Sequence, residues 1–374
     1  MVEYKFKDLA LVNTSFLFLT PIATIIAIYY WLSIDGFSWA MVSIAVIFYT
    51  MTGLSITAGY HRLFAHKAYD ANPLVKFFFL VFGASAFQNS LLKWGSDHRL
   101  HHSKVDTQSD PYNINEGFFY AHMGWILLKK NGELKTKYAK DMLNDKMIMW
   151  QHKYYLLIAV FTGFILPTFV GGYFFDSYLG GFTASLVRIV LLHHCTFFIN
   201  SLCHYVGTTP YTDTNTARDS WFMAFLTFGE GYHNFHHFFQ TDYRNGIRWF
   251  QFDPTKWLIK ALNLIGFTDK LKITSNEKIL AARMNMKLKT IKVKNHWISD
   301  DKIQELELLK CRILESFHNF DEYKKELKTK RDNLSESMRN DLQLKLETTK
   351  AEFRHSMNEW KIILNSFDQL SLNI

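Results

Sequence analysis

Nine of the 16 histidines in this 374-residue chain fall into three short boxes and one outlier. The boxes read HRLFAH (His61, His66), HRLHH (His98, His101, His102) and HNFHH (His233, His236, His237). The outlier is His204 in NSLCH, four residues after Asn200. Imidazole is the commonest side-chain ligand of redox-active transition metals. In the HxxHH boxes the rings stand at i, i+3 and i+4, so on a helix they share one face. Nine such ligands exceed what one ion can take, so the pattern implies two. The boxes contain neither the HExxH of zinc proteases nor the Glu-x-x-His of soluble di-iron bundles. Asp97, Asp106, Asp110 and Glu230 lie beside the boxes. They are either acceptors for ring N–H groups or solvated loop acids.

The elements that must position these rings are apolar. Hydrophobic residues make up 48% of the chain and aromatics 17%, with 34 Phe. Five apolar stretches stand out, at about 11–34, 38–58, 74–92, 154–175 and 182–203. A bilayer-crossing helix needs about 20 such residues. The third stretch is the weakest, with Lys76, Gln88, Asn89 and Ser90. Box one follows the second stretch and box two follows the third. If the third crossed the bilayer, those boxes would face opposite sides, so it is expected to lie in the interface or re-enter. Four spans in two hairpins remain. The links at 35–37 and 176–181 carry no Lys or Arg, whereas 59–153 carries many, among them Arg62, Lys93, Arg99, Lys104 and Lys146. The positive-inside rule then sets the boxes on the cytoplasmic side. Arg188, within the fourth span, either snorkels or faces the bundle interior.

The expected fold is all-α: an integral membrane protein with four transmembrane helices in two hairpins and a cytoplasmic helical cap holding a di-metal site. The expected domains are 1–270 and a charged, amphipathic helical extension, 271–374. In the extension, Leu327, Leu334, Met338, Leu342, Leu346, Phe353, Met357, Trp360, Leu364 and Phe367 recur at three-to-four spacings. A helical hairpin, a short coiled coil or a docking helix would each explain them. The three cysteines form no CxxC, which excludes a Cys-based zinc site and suggests a reducing compartment. The net charge of +8 fits a membrane surface better than nucleic acid, for which no motif is present. The N-terminus lacks a small-residue cleavage site, so the first apolar run is expected to be retained.

A metal cluster beside long apolar spans suggests an apolar substrate with no group to polarise. Attack on an unactivated C–H bond needs dioxygen and a redox metal, for which iron is the natural choice.

The motifs TAGYHRLFAH, WGSDHRLHH, NSLCH and GEGYHNFHH, in this order between paired spans, resemble the membrane fatty acyl-CoA desaturase family over roughly residues 10–260. NTARDSWFMAFLTFGEGYHNFHH and DYRNGIRWFQFDPTKW are similar to its bacterial branch, which implies a bacterial inner membrane. The resemblance implies two irons on the nine histidines, with Asn200 holding a water at one of them. It implies oxygen-dependent desaturation of a long saturated fatty acyl-CoA of palmitoyl to stearoyl length, usually at Δ9. It further implies Tyr49 and Gly53 near the blind end of an acyl tunnel. Gln88, Asn89, Trp94 and Asp97 would lie along substrate, and Lys129 and Lys130 at the CoA phosphates. Ser96 stands where animal enzymes have an arginine, and Phe197 where a tryptophan is common near the tunnel. Of the other histidines, His193 and His194 are expected to be non-ligands, His122 could support a ligand, and His152, His296, His318 and His355 are expected at the surface. No HPGG or iron–sulfur Cys pattern is present, so electrons are expected from a separate carrier of ferredoxin, rubredoxin or cytochrome b5 type. Desaturation of phospholipid-bound chains, lipid hydroxylation and non-catalytic metal or lipid binding are the competing functions.

Overall fold

The computed structural model describes residues 5–294, 298–330 and 335–370. His296 and Leu334 lie outside the described residues. Contacts divide the chain into two units: Met1–Thr209 with Asp213–Ile273, and Pro210–Thr212 with Thr274–Ile374.

Among the described residues of the first unit, four helices are long and apolar enough to cross a bilayer: Leu11–Ile34, Trp39–Ala65, Tyr155–Phe175 and Tyr178–His204. Two hairpins result. Their tips are tied together where the Ser177 hydroxyl donates to the Asp35 carboxylate, and the same hydroxyl caps the fourth span by accepting from Gly180 N–H at 3.0 Å. The second span runs seven residues further than its apolar stretch suggested, because the helix continues through the first histidine box. The fourth begins four residues earlier. There Gly171 and Gly181 bring the third and fourth spans together: a Cβ on Gly171 would lie 2.7 Å from Gly181 Cα. The fourth span packs against all three others.

Arg188 faces the bundle interior. Its guanidinium donates to Thr52 Oγ1 (3.2 Å), Ser85 O (2.8 Å) and Gly163 O (2.8 Å). Gly163 lies in a π-turn, Phe161–Ile165, within the third span. Such turns displace the i→i+4 ladder. The side chain thereby links the second, third and fourth spans to the loop at Ser85.

The third apolar stretch forms a helix only over Pro73–Ala84, capped by Asn72 accepting from Val75 N–H at 2.9 Å. At about 1.5 Å per residue it falls well short of a bilayer core of about 30 Å. It leads into a loop where Phe87 (φ +55°) and Asn89 (φ +74°) adopt left-handed backbone, and then into the helix Leu91–Lys104. These pieces, with residues 205–209 and 213–273, make the cap. One ribbon of two-residue strands, Asp70–Ala71 against Thr268–Asp269, interrupts an otherwise helical unit.

The second unit is built of helices Asn276–Lys294, Asp300–Thr329 and Glu336–Leu370. Met284, Leu288, Ile291, Leu306, Leu309, Ile313, Trp360 and Phe367 form its core. The two long helices pair as a hairpin, and Phe353, Met357 and Leu364 pack beside that core. Met338, expected on the apolar face, is exposed.

Candidate metal centre and acyl cavity

His66 follows His61 at a spacing of five positions. On an α-helix they would stand about 140° apart. Ser55–Ala65 instead winds as a π-helix, and His66 N–H donates to the His61 carbonyl at 3.0 Å, five residues back. The two rings become neighbours, 4.8 Å between centroids. HRLHH ends the α-helix Leu91–Lys104, whose start is capped by Ser90. HNFHH forms the short helix His233–Phe238, and His204 closes the fourth span.

Among the described residues, the nine rings sort into two groups whose ligand atoms lie within 4.8 Å of one another. One is His61, His66, His98, His102 and His236; the other is His101, His204, His233 and His237. Each HxxHH box is divided between them. The second box gives His98 and His102 to one group and His101 to the other. The third gives His236 to one and His233 and His237 to the other.

Within the groups the Nε2 atoms converge. The separations are 2.7 Å for His66–His98, 3.0 Å for His61–His236 and His102–His236, 3.1 Å for His204–His233 and 3.0 Å for His233–His237. Nitrogens at about 2.0–2.1 Å from one ion and at right angles to each other would stand about 3 Å apart.

The far side of several rings explains why these nitrogens are bare. His61 Nδ1 lies 2.9 Å from Glu230 Oε2, and His101 Nδ1 lies 2.9 Å from both Asp110 oxygens. His204 Nδ1 meets Thr216 Oγ1 at 2.8 Å, and that hydroxyl donates to Asp106 Oδ1 at 2.7 Å, so it accepts from the ring. A carboxylate or hydroxyl acceptor fixes the proton on Nδ1 and leaves Nε2 with a free lone pair. Lone pairs aimed at each other in a buried site repel unless a cation lies between them. The residues therefore fit two metal ions. Burial also lowers the affinity of these rings for protons. It holds His66, His98, His102, His236 and His237 well below the usual range and brings His233 down to about 3. They stay neutral, which is the ligating form.

Behind His61 stands a buried network. Burial pushes the Glu230 carboxyl up, but His61 and Arg62 beside it outweigh this and hold it at about 2. Arg62, 1% exposed, also donates to Tyr243 O (2.8 Å) and Asp253 Oδ2 (3.1 Å). Sequence reasoning missed Arg62 and Thr216 as supports. Arg62 lies inside a box, where its neighbours could have drawn attention to it; Thr216 has no sequence signal. Of the four flanking acids, Asp110 and Glu230 touch rings and Asp106 acts through Thr216. Asp97 does not; it pairs with Lys93, and burial raises its carboxyl to about 6 against the pull of that ammonium.

A cavity of about 440 Å³ runs past both groups. Gly53, Gln88, Asn89, Trp94, Asp97, Phe197 and Asn200 line it, together with His61, His98, His101 and His233. Its other walls are largely apolar, with Ile56, Phe87, Val160, Phe164, Leu192 and Phe228. Trp94 stacks on His98 with centroids 4.9 Å apart, and Gln88 Nε2 donates to Thr196 Oγ1 at 3.0 Å. Tyr49, Lys129 and Lys130 are not on the wall. The Tyr49 hydroxyl donates to Leu226 O at 3.2 Å. Lys129 donates to Lys7 O at 2.7 Å, and Lys130 lies over the Tyr120 ring, just before Asn131 and Gly132, which line the cavity. Ser96 is buried, donating to Lys93 O. Outside both groups, His193 contacts Ala86 O at 2.7 Å, and His122 bridges Ser201 and His194. His152, His318 and His355 are exposed.

Four helices long and apolar enough to cross a membrane carry two histidine groups that could hold metal beside a largely apolar cavity, which defines the class of membrane protein to compare with. A sequence model of the fatty acid desaturase family matches residues 37–264, and the chain belongs to that family. It is 45% identical over 258 residues to acyl-CoA desaturase 1 of Saccharomyces cerevisiae, covering 68% of this chain and 51% of that protein. It is 42% identical over 249 residues to a probable acyl-CoA desaturase of Schizosaccharomyces pombe, covering 66% and 52%. The sn-1 stearoyl-lipid 9-desaturase of Synechocystis is 34% identical over 284 residues, covering 73% and 87%. The chain thus spans about half the length of these two fungal relatives, and the identities do not single out the bacterial branch.

Proposed function

We propose that this chain desaturates a long saturated acyl chain carried as a CoA thioester, at Δ9, on the cytoplasmic face of the membrane. The observation that carries the reading is the contact between two convergent histidine groups and one apolar cavity. His61, His66, His98, His102 and His236 would hold one iron; His101, His204, His233 and His237 would hold the other, with Asn200 placing a water beside it. Two irons there would supply the oxidising chemistry, in which one dioxygen would take two hydrogens from adjacent carbons plus two electrons and two protons and leave as two waters. The protein's own groups set the stage. Glu230, Asp110 and Thr216 keep the ring protons on Nδ1. Trp94, Phe197 and Ile56 exclude water from the chain. Asn131 and Gly132 line the cavity, and Lys129 and Lys130, just before them in the chain, would meet CoA phosphates. The electrons would come from a separate carrier protein of ferredoxin, rubredoxin or cytochrome b5 type. The relatives' names support the acyl-CoA reading for two fungi and a lipid-bound substrate for cyanobacteria.

Stearoyl-CoA and vesicles of saturated phospholipid, offered side by side to iron-loaded protein with a reductant system, test this. The expected result is a double bond at carbon nine in the CoA product. A double Lys129→Glu, Lys130→Glu variant should raise KM for stearoyl-CoA more than it lowers kcat, with the difference shrinking as salt rises. Robust turnover of vesicles without CoA would overturn the carrier assignment.

A further inference from the structure

Gly53, which the resemblance places near the blind end of an acyl tunnel, lies on the cavity wall with an aromatic ring packed directly on it. A Cβ on Gly53 would fall 2.2 Å from the edge of the Phe228 ring, which lies directly on the helix backbone. On the second span the cavity wall runs from His61 through Thr57 and Ile56 to Gly53 and stops there. One turn further on, Tyr49 is off the wall, and its ring lies against the same Phe228 ring, centroids 5.4 Å apart. Phe228, on the wall, thus contacts both Gly53 and Tyr49.

Its backbone is built for the position. Phe228 has φ +55°, a left-handed conformation that a bulky side chain rarely adopts. Strain of that kind persists only where the surroundings over-determine it. Here Thr255 Oγ1 donates to the Phe228 carbonyl at 2.8 Å, and Thr57, on the cavity wall, meets Thr255 Oγ1 at 2.7 Å. Two residues on, Glu230 reaches His61. The same strand of cap thus holds one ring at the cavity's end and one acceptor at the metal centre, a fixed distance apart.

Resting on the proposed function, we infer that Phe228 sets the acyl chain length by closing the cavity over Gly53. Gly53 is small to seat this ring rather than to admit the substrate.

The test measures binding and turnover of palmitoyl-, stearoyl- and arachidoyl-CoA in competition, binding by native mass spectrometry and turnover by product analysis. Phe228→Ala opens the cavity toward Tyr49. It should shift the arachidoyl-to-stearoyl ratio toward the longer chain by about tenfold, the value of two buried methylenes. Phe228→Leu, a milder change that keeps an apolar plug, should shift it less and in the same direction. Gly53→Ala should disturb binding alone and be absorbed in the Phe228→Ala background. An unchanged ratio in either Phe228 variant with wild-type metal content and melting temperature overturns the inference and leaves the desaturase reading intact. A wild type that neither binds nor desaturates any of the three overturns both.

Discussion

Glu230 serves His61 through Oε2 and Arg62 through Oε1, and Asn245 donates to Oε2 at 2.7 Å. Glu230→Gln keeps the shape and loses the charge, so metal affinity should fall about 10–100-fold, as for other acceptors behind a ligating histidine. Glu230→Ala leaves the buried Arg62 paired with Asp253 alone and should cost about 1–3 kcal/mol; melting with and without added iron separates the two effects. A second residue-scale prediction concerns pH. His122 is held down to about 4, chiefly by burial and then by His194. Its folded value lies below its unfolded one, so the unfolded chain binds the extra proton. Stability is complete above about pH 6.5 and is lost as pH falls toward 4. His122→Gln cannot take that proton and should show a shallower fall in melting temperature over this window; an equal slope would contradict the assignment. At this scale the sequence was most legible where chemistry is dense. The nine histidines that converge were legible from box spacing, and all four flanking acids were named, but spacing did not tell Asp110 and Glu230, which touch rings, from Asp97, which does not. The division of each box between two centres could not be read, because it depends on how the cap folds back, and neither could Thr216, twelve residues from His204.

At the scale of elements, hydrophobic length and parity were enough to separate four spans from a short fifth stretch. The boundaries were not readable, because the second span continues through polar residues as a π-helix. That winding has a purpose the α-helical period hides: it turns a five-residue spacing into neighbouring ligands. The close approach of the third and fourth spans was also hidden, since glycines alone do not say which backbone they touch. Gly181→Val would drive a Cβ to 2.6 Å from Pro167 O and 2.9 Å from Thr168 Cα. Backbone atoms cannot swing aside, so the expected cost is about 1–3 kcal/mol or more. A lowered melting temperature in detergent checks it; an unchanged one would show that the hairpin can open without loss.

At the scale of the whole molecule, all nine histidines of the two groups belong to the first unit. We propose that residues from 271 onward form an extension outside the metal chemistry. A chain ending at residue 273 should keep the metal content of the full chain, measured by elemental analysis; loss of metal would assign the second unit a part in holding the cap. The account as a whole rests on two metal centres acting together on one cavity. Iron and protein quantified in the same sample of turnover-competent full-length chain test that most directly. Two irons per chain are predicted, falling together with activity in His101→Ala, from one group, and in His236→Ala, from the other. Full activity at one iron per chain would contradict it.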